Sequence, residues 1–258
     1  MSAKENEWKA YKDLAWTESL VYPPPEGIKE VELFSKLIKE NSKINTETLL
    51  HVGCGSGIYD YTFKKHFKVT GVDLSEKMLE IAIKRNPEVD YHHGDMRTIE
   101  LGKKFDAVTI PESIGYMMTR EDLKRAIATA NKHLKPGGVL LIISNIKDTF
   151  KPNNFVYTGK KGDIEITIFE NNYIPRDNNS IYEATIIYLI RNKGKLETYT
   201  DVHTLGLFDE KTWYYLLKEE DFEIKETKEE HFYDEYMLEE GEYPLHIFVC
   251  KKPLNIKQ

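Results

Sequence analysis

The chain predicts an α/β fold: a seven-stranded, mostly parallel sheet with an antiparallel β-sheet inserted into it. Three observations carry this. Between residues 48 and 145, strand-like apolar runs alternate with helix-like amphipathic stretches, the pattern of right-handed βαβ units. From 150 to 206 the helical period vanishes, and alternating β-type runs follow one another across Asn- and Gly-rich breaks, as in an antiparallel meander. The first apolar run, Leu49-Leu50-His51-Val52, breaks into Gly53, Gly55 and Gly57 just before a helical pattern starts, which reads as strand, tight turn and helix entry.

In chain order, strands are expected at residues 48–52, 68–73, 89–92, 105–110 and 139–144. Helices are expected at 75–85, with Met78, Leu79 and Ala82 on one face, and at 120–134. Pro136-Gly137-Gly138 is expected to stop the second helix and turn the chain into the fifth strand. Runs at 164–169, 183–190 and 196–203 form the inserted meander, followed by a helix at 210–219. Two last runs, 222–227 and 245–250, complete seven strands with an antiparallel edge. The segment before 46 reads as one or two helices divided by Pro23-Pro24-Pro25. The expected organisation is an N-terminal helical cap (1–45), a ligand-binding α/β domain (46–149 and 207–258) and an antiparallel β insertion (150–206) covering the site.

The 258 residues can bury a full core, and 40% hydrophobic with 31% charged residues fits an ordinary globular chain. A net charge of −7 disfavours nucleic acid and anionic membranes as partners. The start, Met1 to Glu7, is polar and no run of eighteen apolar residues occurs, so neither a secretory signal nor a membrane span is expected. Cys54 and Cys250 make no disulfide framework and no C-x-x-C, which points to a cytoplasmic setting.

In an open α/β sheet, ligands lie beyond the carboxyl ends of the strands. Gly53, Cys54, Gly55 and Gly57 follow the first strand, Asp73 and Leu74 end the second, and His93-Gly94-Asp95-Met96 and Pro111 to Tyr116 follow the third and fourth. A dinucleotide fingerprint, G-x-G-x-x-G, would need a third glycine where Ile58 stands. The third glycine comes one residue early, and G-x-G-x-G suits a nucleoside ligand without a pyrophosphate, such as S-adenosylmethionine. Asp73 is placed to accept from ribose hydroxyls. Asp95 suits an adenine amino group and the Met96 N–H a ring nitrogen, although Gly94-Asp95 also reads as a simple turn. Cys54 fills a turn position that needs a small residue. His92 and His93 point to opposite faces of a strand and have no chelating partner at the usual spacing, so no metal is expected.

These motifs resemble class I S-adenosylmethionine-dependent methyltransferases. The likeness runs through Gly53 to Gly57, Val72-Asp73-Leu74-Ser75, Met78-Leu79, His93 to Arg97, Leu101 to Val108 and His133 to Gly138. Within that group the chain is similar to N,N-dimethyltransferases of nucleotide-linked amino sugars through Asp95-Met96-Arg97, Ser113-Ile114-Gly115-Tyr116 and Asp201-Val202-His203 with Leu207-Phe208. It departs from them at Ala15-Trp16, Pro23-Pro24-Pro25-Glu26, Tyr116-Met117-Met118-Thr119 and around Trp213, which resemble a sister branch of unassigned substrate. The resemblance implies a Rossmann-like fold and S-adenosylmethionine as cofactor, with the glycines on its methionine portion, Asp73 on the ribose and Asp95 with Met96 on the adenine.

For the chemistry, Tyr116, just past the fourth strand, is the first candidate to touch the acceptor, against the alternative that it packs beneath the insertion. His203, which the resemblance puts on the roof of the site, is the second, against a structural role. Tyr11 and Tyr22 lie in a segment that in such enzymes closes over the cofactor. The expected activity is methyl transfer to N or O of a small-molecule acceptor, with an amino sugar as one candidate. A non-catalytic S-adenosylmethionine or S-adenosylhomocysteine binder is the alternative. An RNA or protein methyltransferase ranks lower, because Ile110-Pro111-Glu112-Ser113 is not the N-P-P-Y or D-P-P-Y of base amination sites. The insertion's aromatics, Phe155, Tyr157, Phe169, Tyr173 and Tyr188, suit a substrate roof or a homodimer interface.

Overall fold

The computed structural model describes residues 8–23 and 27–254, with backbone alone for 226–229. The polar start and Pro24, Pro25 and Glu26 lie outside the described residues. Strands run as β1 (Thr48–Val52), β2 (Lys68–Asp73), β3 (Asp90–His93), β4 (Phe105–Pro111), β5 (Leu134–Ser144), β6 (Asn153–Lys161), β7 (Ile164–Tyr173), β8 (Ile181–Asn192), β9 (Lys195–Gly206), β10 (Glu223–Glu230) and β11 (Leu245–Lys251). Helices are α1 (Glu18–Val21), α2 (Ile28–Asn41), α3 (Asp60–Phe63), α4 (Glu76–Arg85), α5 (Arg120–His133) and α6 (Glu210–Glu219).

Two sheets result. The first has seven strands in the order β10-β11-β5-β4-β1-β2-β3, parallel except at β11, which runs antiparallel to both neighbours. Its strand order reverses between β1 and β4, the position at which an α/β sheet opens a crevice for a ligand. Both faces are covered, so neighbouring residues of one strand enter different cores. Leu49, Ala107 and Leu141 pack with Val31, Phe34 and Ile38 of α2, whereas Leu50, Val108 and Leu140 pack with Leu123 and Ile127 of α5 and Trp213 of α6. The second sheet, β6-β7-β8-β9, is the antiparallel insertion.

The expected one or two helices divided by Pro23-Pro24-Pro25 correspond, among the described residues, to α1 before the prolines and α2 after them, with two single-turn 3-10 helices, Lys9–Tyr11 and Ala15–Thr17, ahead of α1. This segment packs on the insertion, with Leu14 against Ile166 and Tyr188, and Gly159 so close to Leu20 that a Cβ would sit 2.4 Å from its carbonyl oxygen. Other details differ from expectation. Pro136-Gly137-Gly138 does not end the second helix. That helix stops at His133, since Leu134 is already extended and pairs with Phe105. The Pro-Gly-Gly stretch forms a bulge before Val139 pairs with Ala107. The meander has a fourth strand, β6, whose mixture of Asn, Gly and Lys hid its alternation. The third strand runs one residue later than expected, to His93.

Candidate active site

The carboxyl ends of β1, β2, β3, β4 and β5 face the inner surface of the insertion across a crevice of about 1080 Å³, closed on one side by the N-terminal segment. That volume holds a nucleoside-sized ligand together with a small second molecule. All fourteen sequence candidates except Gly57 line it. Gly57 is turned away: a Cβ there would lie 2.5 Å from the Tyr91 hydroxyl and 2.8 Å from Asn86 Nδ2. Its role is to let the turn press against α4.

The glycine turn is anchored from both sides. Gly53 and Cys54 donate backbone N–H groups to the Val72 carbonyl (2.7 and 3.0 Å), and Gly55 donates to Asp73 Oδ2 (2.8 Å). Gly55 has φ +54°, and the nearest atom to a Cβ there is Met78 Cε at 3.5 Å, so a side chain would project into the crevice itself. Asp73 also accepts from the Ser75 N–H at 2.8 Å. Burial pushes its carboxyl upward, and these two N–H groups oppose that. A carboxylate has about four acceptor sites, so beyond its bonds to Gly55 and Ser75 Asp73 keeps capacity on both oxygens for ribose hydroxyls. The donor set therefore fits an adenosyl ligand. The Cys54 thiol is buried and pushed far above its ordinary range by that burial, which agrees with a packing role.

Sequence reasoning missed the partners that hold this turn. Half-buried Glu18 accepts from the Ser56 hydroxyl, and Arg85 donates to Ser56 and to Ser19 Oγ (2.6 Å). The N-terminal segment is thus fastened to the glycine turn through a carboxylate and a guanidinium that no motif flagged. Farther along, Asp95 accepts from the Arg97 backbone N–H (2.7 Å) and from its guanidinium (Nη2, 2.6 Å), and Arg97 also reaches Asp122 at 3.1 Å. The turn reading of Gly94-Asp95 is thereby realised, while Asp95, Met96, Leu74 and Pro111 still border the crevice. His92 and His93 diverge, to Asp90 (3.1 Å) and to the Leu74 carbonyl (2.9 Å). Among the described residues no three His, Cys, Asp or Glu side chains come together as metal ligands.

Tyr116 and His203, chosen separately, are bonded to each other. Tyr116 Oη lies 2.7 Å from His203 Nδ1, and His203 Nε2 lies 3.0 Å from Asp201 Oδ2. A carboxylate can only accept, so Nε2 carries the proton and Nδ1 accepts from the Tyr116 hydroxyl. Tyr116 in turn accepts from Tyr11, 2.6 Å away. Trp8 stacks on the imidazole with 4.9 Å between ring centres, and the Ala10 N–H donates to Asp201 at 2.8 Å. Burial lowers the pKa of His203 and Asp201 opposes that, leaving the ring neutral near pH 7. Burial holds the Tyr116 and Tyr11 hydroxyls protonated.

Tyr22 belongs to a different cluster: it donates to Glu30, which also receives the Tyr59 hydroxyl. Glu112, in a left-handed backbone conformation at φ +56°, accepts from Tyr233 at 2.7 Å. Of the insertion's aromatics, Phe155, Tyr157 and Tyr188 face the crevice, and Phe169 and Tyr173 are exposed on the outer face. Among the described residues no helix is long and apolar enough to cross a membrane.

Residues 49–138 match a family described as "Methyltransferase domain". A dTDP-3-amino-3,4,6-trideoxy-alpha-D-glucopyranose N,N-dimethyltransferase of Streptomyces venezuelae is 34% identical over 169 residues, 62% of this chain and 69% of that protein. A dTDP-4-amino-2,3,4,6-tetradeoxy-D-glucose N,N-dimethyltransferase of Saccharopolyspora spinosa is 33% identical over 171 residues, 64% of this chain and 66% of that protein. In three dimensions, the crystal structure of Streptomyces venezuelae DesVI superposes with a TM-score of 0.75 at 24% identity, over 93% of this chain and 96% of that one, a likeness of fold.

Proposed function

The chain belongs to the class I S-adenosylmethionine-dependent methyltransferases, and from that premise we propose that it methylates the nitrogen of a small-molecule amine, an amino sugar among the candidates. The observation that carries this reading is the line Tyr11, Tyr116, His203, Asp201, whose first three members border the crevice and which offers a neutral, partnered imidazole as the end point of a proton. Bound S-adenosylmethionine supplies an electrophilic methyl group on sulfur. The chain's own work is to hold the acceptor amine neutral, aligned and dry. Tyr116 orients the nitrogen through its hydroxyl, and the proton that nitrogen sheds passes by way of Tyr116 to His203, whose positive charge Asp201 balances. Gly53, Cys54, Gly55 and Asp73 hold the cofactor's methionine and ribose, with Leu74, Met78, Asp95, Met96 and Pro111 around the adenine. Tyr11 and Tyr22 close the N-terminal cap over it.

In this reading residues 1–45 act as cap, 46–149 and 207–258 as cofactor domain, and 150–206 as roof. No nucleic acid is a substrate, in keeping with the charge of −7, and the enzyme works in the cytoplasm, in keeping with two buried thiols. A homodimer through the insertion is part of the same reading, and light scattering checks it.

The test is turnover with labelled S-adenosylmethionine and two panels, one of primary and secondary amines including free amino sugars, one of phenols and alcohols. Mass spectrometry should show gains of one or two methyl groups on nitrogen. Products only on oxygen overturn the choice of atom. Cofactor binding with no product from either panel favours the non-catalytic binder.

A further inference from the structure

The far half of the crevice, between the ends of β4 and β5 and the inner face of the insertion, is chemically unlike the cofactor half. Glu112 follows β4 there and Glu170 projects from β7, both half-buried. Their protein partners are neutral: the Tyr233 hydroxyl for Glu112, and Asn172 Nδ2 at 2.9 Å for Glu170. Burial pushes both carboxyls up, and for Glu112 the charges of Glu30 and Glu170 add to that. An independent feature points the same way. Asn145, nine-tenths buried just past β5 and among the residues lining this crevice, spends its amide N–H groups on Tyr243 (2.7 Å) and Tyr182 (3.4 Å), and its buried Oδ1 has no hydrogen-bond partner. A buried acceptor oxygen without a donor is costly and marks a place where a ligand N–H would be held.

Among the described residues, the lysines and arginines that border the crevice, Lys12, Lys77 and Arg97, stand on the cofactor side, on the N-terminal segment, α4 and the loop after β3. Arg97 is bound to two aspartates. Among the described residues lining the far chamber there is no Lys or Arg to meet a pyrophosphate. A nucleotide-linked acceptor would bring two negative charges beside two carboxylates. A protonated amine would relieve their mutual repulsion, donate to Asn145 Oδ1 and lie against tyrosine rings.

We infer that the acceptor is a compact, multiply aminated molecule without phosphate, one of whose nitrogens stays protonated between Glu112, Glu170 and Asn145 while another is presented to Tyr116. This rests on the N-methyltransferase reading above and names its substrate class. The nitrogen held in the acidic chamber keeps its proton and does not react. The nitrogen beside Tyr116 is neutral, forms the new C–N bond as the methyl–sulfur bond breaks with its electron pair going to sulfur, and gives up a proton to the Tyr116–His203 pair.

Calorimetry on the full chain saturated with S-adenosylhomocysteine tests it, with spermidine, 2-deoxystreptamine and thymidine diphosphate as separate probes. At least one of the two polycations should bind ten-fold or more tightly than thymidine diphosphate, and which one distinguishes a linear polyamine from an aminated ring. Glu112→Gln combined with Glu170→Gln should weaken that binding at least ten-fold and leave S-adenosylhomocysteine affinity within two-fold, which also reports that the variant is folded. Asn145→Ala provides a second, uncharged probe of the same contact and should weaken binding several-fold. Tighter binding of thymidine diphosphate, no binding of any probe, or polycation binding indifferent to these variants overturns the inference. A wild-type chain that does not bind S-adenosylhomocysteine would instead bring down the methyltransferase reading itself.

Discussion

The hydroxyl of Tyr116 and Nδ1 of His203 meet at 2.7 Å although one residue belongs to the loop after a parallel strand and the other to the inserted sheet. The bond ties the roof of the crevice to its floor at the place where an acceptor must enter. Three aromatic neighbours, Trp8, Tyr11 and Tyr116, surround the imidazole, so water has little access to it.

Tyr116→Phe removes the oxygen that links Tyr11 to His203 without changing the ring's packing. It should lower kcat by about 10²-fold, the usual contribution of a positioned acid–base group, with S-adenosylmethionine affinity nearly unchanged. Full turnover in steady-state assays of this variant would remove Tyr116 from the chemistry and leave it a packing residue.

His203 should write its protonation into the pH profile. Its folded-state pKa lies below the ordinary value because burial disfavours the imidazolium, so the proton-accepting form prevails at pH 7 and is lost only as the pH falls below about 6.5. kcat/KM should therefore decline on the acid side, and His203→Gln should be slow at every pH with that decline gone. Retention of the acid limb in the variant would assign it to another group.

Removing the Asp73 carboxylate leaves the Gly55 and Ser75 N–H groups without their acceptor and the ribose without its own. Asp73→Ala should weaken S-adenosylmethionine binding by about 2–4 kcal/mol, or 30-fold and beyond, since charged hydrogen bonds are lost on both sides. Titration calorimetry reads this directly. An affinity within three-fold of the parent would mean that Asp73 serves the turn and not the ligand.

How much of this was legible from residues alone varied with the range of the interaction. The bounds of β1 and β2 agree with expectation, because strand periodicity and glycine punctuation are local and both strands are buried on two faces. The strand-end rule likewise brought Asp73, Asp95 and Tyr116 to one crevice. Glu18, Arg85 and Asn145 were not legible, because their partners lie 38, 29 and 98 residues away and nothing local distinguishes them from surface polar residues. Glu112 could have been found, since it follows Pro111 at the end of β4, and Glu170 shares the inward phase of Ile166 and Ile168 on β7. Neither had a nearby residue to suggest that it would be buried without a cation.

Trp213 offers a check on the fold apart from the site. It is 1% exposed on α6 and stacks on Phe248 of β11 with 5.1 Å between ring centres, joining the helix that follows the insertion to the antiparallel strand. Trp213→Ala should cost about 3–5 kcal/mol, through lost burial and the cavity left behind. Urea unfolding would show it as a lower midpoint at unchanged slope, and a loss under 1 kcal/mol would contradict the packing described.

The acidic chamber makes a prediction about stability against pH. Glu112 has an ordinary value of 4.5, which burial and the charges of Glu30 and Glu170 push up to about 7, against the opposing Tyr233 hydroxyl. The folded chain consequently binds more protons than the unfolded chain between these two values, and stability must fall as the pH rises through that window. Integrated over the window, the Glu112 share is about 2–3 kcal/mol, fully present below pH 4.5 and lost by about pH 7. Glu18, Glu30, Asp73 and Glu170, raised in the same direction by burial, add slopes of the same sign. Glu112→Gln cannot ionise and should remove only its own part, so the variant's chemical-denaturation midpoint should fall less steeply between pH 4.5 and 7. A bound polycation should flatten the wild-type slope in the same way, because it stabilises the ionised carboxylate. Parallel curves for wild type and variant would show that Glu112 ionises as an ordinary, hydrated side chain.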